Sequence, residues 1–146
     1  PRAIKGMGTT YITSAMGADH TAGPTARSPV DHRDPKIQAA LSLKLQKLIP
    51  ILDCSGLCLF TVGYAGGHLD QVLDLLNARY GWDLDMGWFE RMALETLKDE
   101  YRFNELAGFS RADHRMPEAF TERVLPDVNS VYDVSEEDID KLLAYQ

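Results

Sequence analysis

Apolar residues recur at helical spacing through most of the chain after Pro35. In the first such stretch they follow one another at steps of four, four, three and four residues, which places them on one face of a helix. This expected inner face consists of Ile37, Leu41, Leu45, Leu48 and Leu52. Pro50 lies inside the stretch and should end or kink the helix just before Asp53. The pattern therefore predicts a first long helix between Pro35 and Asp53.

Two further helices are predicted by apolar stripes that end at a glycine. One covers Leu69–Tyr80 and ends at Gly81, and the other covers residues 85–107 and ends at Gly108. Glycine is typical of a helix C-terminus because it adopts the left-handed conformation without strain. The side chains expected to be buried are Leu69, Val72, Leu73 and Leu76 in the first helix and Trp88, Met92, Leu97, Tyr101 and Leu106 in the second.

A last helix is predicted at residues 136–144, where Ser135 and Asp138 resemble a capping box. No segment shows the alternation of apolar and polar residues that is typical of a half-buried strand. The sequence also contains no internal repeat and no low-complexity tract. The fold class that these patterns predict is all-α, a multihelical bundle.

The first 35 residues differ from the rest of the chain because they are rich in glycine and proline and carry no sustained helical or strand period. They are expected to form a loop, with a short extended piece at residues 9–13. Few apolar residues offset the entropy of ordering this segment, so it should be the least ordered or most partner-dependent part of the chain. The chain is therefore divided into a glycine-rich arm (residues 1–35) and a helical domain (residues 36–146).

Composition restricts the class of protein. With 146 residues, 45% of them hydrophobic and 25% charged, the chain is typical of one soluble globular domain. A net charge of -7 argues against a nucleic-acid surface, and no apolar run approaches the roughly 18 residues of a membrane span. No signal peptide opens the chain, and two cysteines are too few for a disulfide scaffold, which favours the cytoplasm. Because the sequence begins at Pro1, we expect a processed product or a piece of a longer protein.

Both cysteines lie in the stretch L-D-C-S-G-L-C-L-F at residues 52–60. Three interpretations of Cys54 and Cys58 stay open at this point. They could be buried core thiols, which is a common state of free cysteine. They could form a disulfide, although the Cβ separation of about 5–6 Å at this helical spacing is too long for one. They could also be metal ligands, but no histidine has a recognised zinc spacing with them, so the other ligands would come from elsewhere, as in iron–sulfur clusters.

Asp53 and Gly56 add polar groups to this stretch. Asp53 should stand at the end of the first long helix, and Gly56 permits a tight turn with exposed amides and carbonyls. One carboxylate and one pair of backbone groups could bind the amino and amide edge of a ring such as a pterin. The alternative is that Asp53 merely caps the helix or the turn.

Three segments, in order, resemble the tungsten-dependent aldehyde:ferredoxin oxidoreductase family in its C-terminal helical part. K-G-M-G-T-T-Y-I-T-S-A-M-G-A-D-H-T-A-G at residues 5–23 resembles the family's glycine-rich stretch that ends in a histidine. D-C-S-G-L-C at residues 53–58 resembles its D-x-x-G-L-C motif. Residues 90–120 resemble a block that ends in an Asp-Asp-x-x-Pro-like element. Together the three segments cover nearly the whole chain.

The resemblance implies a role for each motif. In the family, the last cysteine of D-x-x-G-L-C is the fourth ligand of a [4Fe–4S] cluster, which makes Cys58 the candidate metal ligand. The same motif contacts one of the two pterins that hold the tungsten, which implies a cofactor-binding role for Asp53, Gly56 and Leu57. The histidine of the glycine-rich stretch lies near the tungsten and handles protons, so His20 is the candidate catalytic residue.

The resemblance also implies a longer enzyme that oxidises aldehydes to carboxylic acids and passes electrons through the cluster to ferredoxin. The other three cluster cysteines and the domain that cradles the pterins are not among these residues. This chain alone is therefore expected to be inactive and to carry neither iron nor tungsten. Its partners would be the remaining domains of the same enzyme, ferredoxin, the aldehyde substrate and, as an open alternative, a second copy in a homodimer.

Several alternatives stay open. The family member could act on another carbonyl or acid substrate, or use molybdenum in place of tungsten. Glu100-Tyr101 stands where the family usually has Glu-Arg, and Asp113-His114 stands where it has Asp-Asp, which leaves the substrate open. Cys54 falls at a variable position and is expected to be a small thiol of the core or just outside the ligand set. From a different class, the chain could be a free-standing helical interaction domain with buried thiols.

Overall fold

The computed structural model describes residues 1–144. Seven α-helices lie in this range: α1 (Lys5–Thr13), α2 (Gln38–Cys54), α3 (Val62–Ala65), α4 (Leu69–Tyr80), α5 (Met86–Leu106), α6 (Glu118–Thr121) and α7 (Glu136–Leu143). The same residues form no strand, and the β-bridge between Leu125 and Ser130 is isolated. The all-α fold predicted from the sequence is therefore confirmed. None of the helices in the described range is both long and apolar enough to cross a membrane.

The central helix of the bundle is α2, which contacts α1, α5 and α7. It follows a short 3-10 turn at Pro35–Ile37 and runs to Cys54. Pro50 lies inside the helix, so the helix does not end at the proline. The C-terminal end of the central helix therefore carries Asp53 and Cys54.

The most deeply buried side of α2 is polar, which the apolar pattern did not predict. Gln38, Ser42 and Gln46 are at most 1% exposed. Of the predicted inner face, only Leu52 is fully buried, whereas the other leucines are partly buried and Ile37 is exposed. The prediction that this stripe faces inward is therefore wrong for Ile37 and confirmed in full only for Leu52, and it misses the polar residues that are buried most completely.

This polar side is buried because it finds hydrogen-bond partners, α1 for Ser42 and Gln46 and the Asp31 and Asp34 carbonyls for Gln38. The hydroxyl groups of Thr10 and Ser42 lie 2.7 Å apart, and Gln46 Nε2 donates to Thr13 Oγ1 at 2.9 Å. Buried polar groups are tolerated when they are paired, because the hydrogen bond replaces the one lost to water. Hydrogen bonds between hydroxyl and amide groups therefore form much of the buried contact of α2, where the sequence predicted leucine packing.

The glycine-rich arm contains a buried helix, so the extended piece predicted at residues 9–13 is wrong. Eight of the nine residues of α1 are buried. Its threonine hydroxyls donate to carbonyls one turn back, as Thr9 does to Lys5 at 3.2 Å. Its glycines permit close packing, since a Cβ at Gly6 would lie 2.8 Å from Gln38 Oε1. Apolar periodicity misses such a helix because glycine and threonine form much of its inner face.

The predicted bounds of α4 are confirmed. Gly81 ends the helix in the left-handed conformation, with φ at 68°, and its N–H donates to the Asn77 carbonyl at 2.8 Å. Leu73 is buried, and the other three predicted inward side chains pack partly buried against the same cluster. The apolar stripe therefore correctly predicted the inward side of α4, and the glycine correctly predicted its C-terminal end.

The predicted position of α5 is also confirmed, but the predicted burial of Leu106 is not. The Asp85 carboxylate accepts the Trp88 N–H at 2.8 Å at the start of the helix, and Gly108 follows its end with φ at 97°. Its buried side consists of Phe89, Ala93 and Leu97. Leu106 is 81% exposed, in a stretch (residues 105–113) where every residue is exposed. The prediction that Leu106 is buried is therefore wrong, because this stretch faces away from the rest of the described chain.

The last helix, α7, begins as predicted directly after Ser135, whose hydroxyl accepts the Asp138 N–H at 3.1 Å. Its inner residues Ile139 and Leu142 belong to the same core cluster as Ile12 of α1. The first and last helices of the chain therefore share one hydrophobic cluster.

Candidate functional site

The D-x-x-G-L-C motif forms the turn that ends α2. The Gly56 N–H donates to the Asp53 carbonyl at 3.0 Å, and the Leu57 N–H donates to the Leu52 carbonyl at 2.9 Å. Gly56 adopts the left-handed conformation, with φ at 72°. These two bonds around a left-handed residue define a Schellman motif. The predictions that Asp53 stands at the helix end and that Gly56 makes a tight turn are therefore confirmed.

Leu57 anchors this turn to the core. Its side chain packs against the cluster of Ile49, Leu52 and Ala65, which is the apolar contact that often accompanies a Schellman motif. Gly56 has no atom within 4 Å of the place where its side chain would be. Leu57 therefore holds the turn against the core, and the surface at Gly56 is open.

Asp53 lies in the last turn of α2 with its side chain exposed. A carboxylate is unfavourable there, because the helix C-terminus carries partial negative charge. It also cannot donate a hydrogen bond to the unpaired carbonyls of a helix end, so the interpretation of Asp53 as a helix cap is wrong. Partial loss of solvation raises the pKa of the Asp53 carboxyl. The stability of the fold therefore does not explain an acid at this position.

A cavity of about 280 Å³ lies between α2, α5 and the loop that follows α1. Its lining consists of Ser14, Ala15, Met16, Thr21, Ala22, Gln46, Ile49, Pro50, Asp53, Cys54, Thr96, Leu97 and Glu100. Within the described part of the chain, this lining includes two acids but no lysine, arginine or histidine. The structure thus brings the start of the D-x-x-G-L-C motif together with the glycine-rich stretch.

Glu100 is a site candidate that sequence reasoning missed. It lines the same cavity as Asp53. Loss of solvation raises the pKa of the Glu100 carboxyl, and the negative charge of Asp53 raises it further. Hydrogen-bond donors on a bound group would favour the charged form of both carboxyls, so the cavity suits a ligand edge that is rich in donors. The sequence pattern marked Glu100 only as the glutamate of the family's Glu-Arg pair, which did not indicate that it lines a cavity with Asp53.

His20 lies on the loop beside the cavity but is not part of the lining. Its side chain is 76% exposed, and its Nδ1 lies 4.0 Å from Asp19 Oδ1. Asp19 is held by Thr21, whose N–H and hydroxyl donate to Oδ1 at 2.6 and 2.8 Å. The Thr21 N–H is the main cause that lowers the pKa of Asp19, so an ionised carboxylate stands beside the imidazole.

Both cysteines are free and exposed. The interpretation of Cys54 and Cys58 as buried core thiols is therefore wrong, and a helical interaction domain with buried thiols loses its basis. Cys54 ends α2 and lines the cavity, with its Sγ 4.0 Å from Thr96 Oγ1. Cys58 follows the turn outside that lining, and its carbonyl accepts the Thr61 hydroxyl at 2.7 Å.

Cys58 carries an exposed thiol directly after the turn. Among residues 1–144, no three histidine, cysteine, aspartate or glutamate side chains are grouped so that they could hold a metal ion. Two large side chains close behind Cys58, Phe60 and Tyr64, are 84% and 62% exposed. The Tyr64 hydroxyl donates to Gln71 Oε1 at 3.0 Å, and its ring lies against that of His68.

Comparison with known proteins agrees with these observations. The family model for aldehyde ferredoxin oxidoreductase, domains 2 & 3, matches residues 1–145. The chain is 32% identical over 138 residues to the tungsten-containing aldehyde ferredoxin oxidoreductase of Pyrococcus furiosus and 30% identical to that of Thermococcus kodakarensis. Each alignment covers 87% of this chain, and the chain spans 22% of the length of each relative. No solved structure matches it.

Proposed function

The chain belongs to the aldehyde ferredoxin oxidoreductase family, and on that basis we propose that it forms the C-terminal helical part of a tungsten enzyme. The complete enzyme oxidises an aldehyde to a carboxylic acid, with water as the source of the oxygen, and gives the electrons to ferredoxin. The observation that carries this proposal is the turn at the end of α2. It places Asp53 at a cavity and, a few residues later, exposes the thiol of Cys58.

The cofactors of this proposal are tungsten held by two pterins and a [4Fe–4S] cluster. When bound, they take electrons from the substrate and deliver them to ferredoxin. Asp53 accepts hydrogen bonds from the amino and amide edge of one pterin, next to the backbone of Gly56 and Leu57. The raised pKa of Asp53 supports this role, because a donor edge would supply the partner that the carboxylate lacks. Cys58 gives its thiolate to the cluster, so one short turn contacts both groups.

His20 handles the protons that aldehyde oxidation releases. Imidazole titrates near neutral pH, and the ring of His20 is open to solvent beside the cavity. The ionised Asp19 carboxylate provides a negative charge 4.0 Å away. In the complete enzyme, His20→Ala should lower kcat by about 10²–10⁴-fold while tungsten and iron contents stay unchanged. A loss of less than tenfold would remove His20 from the reaction.

The remaining domains of the same enzyme are the partners that complete this site. They supply the other cluster ligands and the other pterin contacts. The large exposed side chains of Phe60 and Tyr64, which follow Cys58 in the sequence, support a covering partner. The chain alone is inactive in this proposal, and its free thiols suit a reducing cytoplasm.

An assay of the complete enzyme tests the proposed activity. Purified protein that contains this chain should hold tungsten and iron and should reduce ferredoxin only when an aldehyde is supplied. The carboxylic acid should appear in step with reduced ferredoxin. Protein that holds both metals but shows no aldehyde-dependent reduction would reject the proposal.

A further inference from the structure

The loop after α1 forms one wall of the cavity. This rim loop (residues 14–23) lies between the end of α1 and the 3-10 turn at Thr25–Arg27, and it carries His20. Its hydrogen bonds to itself are local, such as the Ser14 hydroxyl donating to the Gly17 carbonyl at 2.9 Å. Its far end is tied to α1, because the Thr10 hydroxyl donates to the Gly23 carbonyl at 3.0 Å. These bonds do not fix the rim loop relative to α5, which forms the opposite wall.

Two long-range hydrogen bonds connect the α5 side to the start of the rim loop and to the end of α1 from which the loop emerges. Asn104, near the end of α5, donates from Nδ2 to the Ala15 carbonyl at 2.7 Å. His114, directly after the 3-10 turn that follows α5, contacts the Ile12 carbonyl through Nδ1 at 2.8 Å. Both acceptors lie at or just past the C-terminal end of α1. Two side chains from the region after residue 100 therefore hold the base of the loop.

The chemistry of these contacts is specific. Carbonyls at the end of a helix have no partner within the helix, so they need donors from elsewhere. A carbonyl can only accept, so the contact with Ile12 requires a proton on Nδ1 of His114. The Tyr101 ring stacks on this imidazole, with ring centroids 5.5 Å apart and planes at 20°. The stacking fixes the plane of the imidazole, and the hydrogen bond fixes its direction.

We propose that Asn104 and His114 are positioning residues that hold the rim loop, and with it His20, at the cavity. Ala15, whose carbonyl Asn104 binds, is itself part of the cavity lining. Without Asn104 the loop keeps its local turns and its bonds to α1 at Ser14 and Gly23, but loses its hydrogen bond to α5. Without His114 the end of α1 that carries the loop loses its hydrogen bond to the segment after α5. The inference rests on the function proposed above for the cavity and for His20.

Asn104→Asp tests the first contact with almost no change in side-chain size. The substitution removes the donor and places a negative carboxylate against the Ala15 carbonyl. Hydrogen exchange of the chain should become about 2- to 10-fold faster in residues 15–23, the range expected for one hydrogen bond, while α4 and α7 keep their rates. Unchanged exchange in residues 15–23 would overturn the role of Asn104.

Asn77→Asp is the matched control, because it makes the same chemical change at a different loop. Asn77 Nδ2 donates to the Leu84 carbonyl at 3.0 Å. This variant should raise exchange near residues 81–85 and leave the rim loop as it was. Faster exchange of the rim loop in Asn77→Asp would show that it responds to general destabilisation, which would also overturn the inference.

The tautomer of His114 tests the second contact without any substitution. Nitrogen-15 NMR of the imidazole at a pH where the ring is neutral should show the proton on Nδ1. His114→Asn, whose amide can donate from a similar place, should keep the rim-loop exchange rates closer to those of the unchanged chain than His114→Leu does. A neutral ring with its proton on Nε2, or equal exchange in the two variants, would overturn the role of His114.

Kinetics of the complete enzyme separate this inference from the proposed function. If both hold, Asn104→Asp lowers kcat while tungsten and iron contents stay unchanged. If His20→Ala leaves kcat unchanged, the catalytic role of the loop fails, but the exchange and tautomer results still decide whether Asn104 and His114 hold it. If the rim loop is unaffected by Asn104→Asp, the positioning role fails whatever the activity.

Discussion

Gly56 is the residue on which the turn at the end of α2 depends. Its φ of 72° lies in the left-handed region, which an L side chain enters at a cost of roughly 1–2 kcal/mol. Gly56→Ala should therefore lower the free energy of unfolding by about 1 kcal/mol, as measured by denaturant unfolding of the chain. Gly63→Ala is the control, because Gly63 lies in α3 with open space around it and without a positive φ. Equal effects of the two substitutions would contradict the assigned role of the turn.

Glu100 should make the stability of the chain depend on pH. Its pKa is raised in the folded state by burial and by the charge of Asp53, so the folded state binds this proton more tightly than the unfolded state does. Stability should therefore fall as the pH rises from the ordinary glutamate pKa through the raised value, and the penalty is complete above it.

Glu100→Gln removes that penalty. The midpoint of thermal unfolding should rise at pH 7 and change little near pH 3.5, where the carboxyl is protonated in both states, at about one unit below its ordinary pKa. Glu95→Gln, at an exposed position of the same helix outside the cavity lining, should give no such pH-dependent gain. If the unfolding midpoint of Glu100→Gln rose at both pH values, or if that of Glu95→Gln rose at pH 7 as well, the carboxyls of Glu100 and Asp53 would not oppose each other.

The helices differ in how well their sequences predict them. For α4, an apolar stripe and a terminal glycine gave the correct bounds, because both its packing and its end use local signals. For α1 the same signals predicted a loop. Its buried residues include glycines and threonines, and their burial depends on partners in α2 and near Tyr132. The polar part of the buried face of α2 was missed for the same reason, since Ser42 and Gln46 are paired with α1 and Gln38 with the Asp31 and Asp34 carbonyls.

Hydrogen exchange of the chain tests the corrected view of α1. The sequence suggested fast exchange throughout residues 6–23. The structure divides this range, because α1 is buried between other helices while the rim loop is largely at the surface. Amides late in α1 should exchange as slowly as those in the middle of α2, and residues 15–22 should exchange faster. Fast exchange across both parts would restore the original expectation of a mobile arm.

For the molecule as a whole, the sequence predicted the positions of some residues of the candidate site. It identified Asp53 and Gly56 from the end of a helix and a tight turn, and both lie where expected. It could not predict that Glu100 lines the same cavity, because that depends on how α2 and α5 pack. His20 and Cys58 both lie outside the cavity lining, and the contacts proposed for them involve groups from the rest of the enzyme.

The exposed apolar side chains are consistent with a chain that works as part of a larger protein. Phe103 and Leu106 at the end of α5 are 72% and 81% exposed, and Phe60 beside Cys58 is 84% exposed. The matched relatives are much longer, since the chain spans 22% of their length. The roles of Cys58 and Asp53 are therefore best measured in the complete enzyme, where the proposed cofactors are held.

In the proposed function, the turn after α2 supplies the cluster with Cys58 and not with Cys54. The chain offers a matched pair of substitutions, because both thiols are exposed and lie on either side of the same turn. In the complete enzyme, iron content and the electron paramagnetic resonance signal of the reduced cluster are measured for Cys58→Ser and Cys54→Ser. We expect Cys58→Ser to lose iron and the resonance signal, and Cys54→Ser to keep both. Full iron, an unchanged signal and unchanged ferredoxin reduction in Cys58→Ser would contradict the role proposed for Cys58.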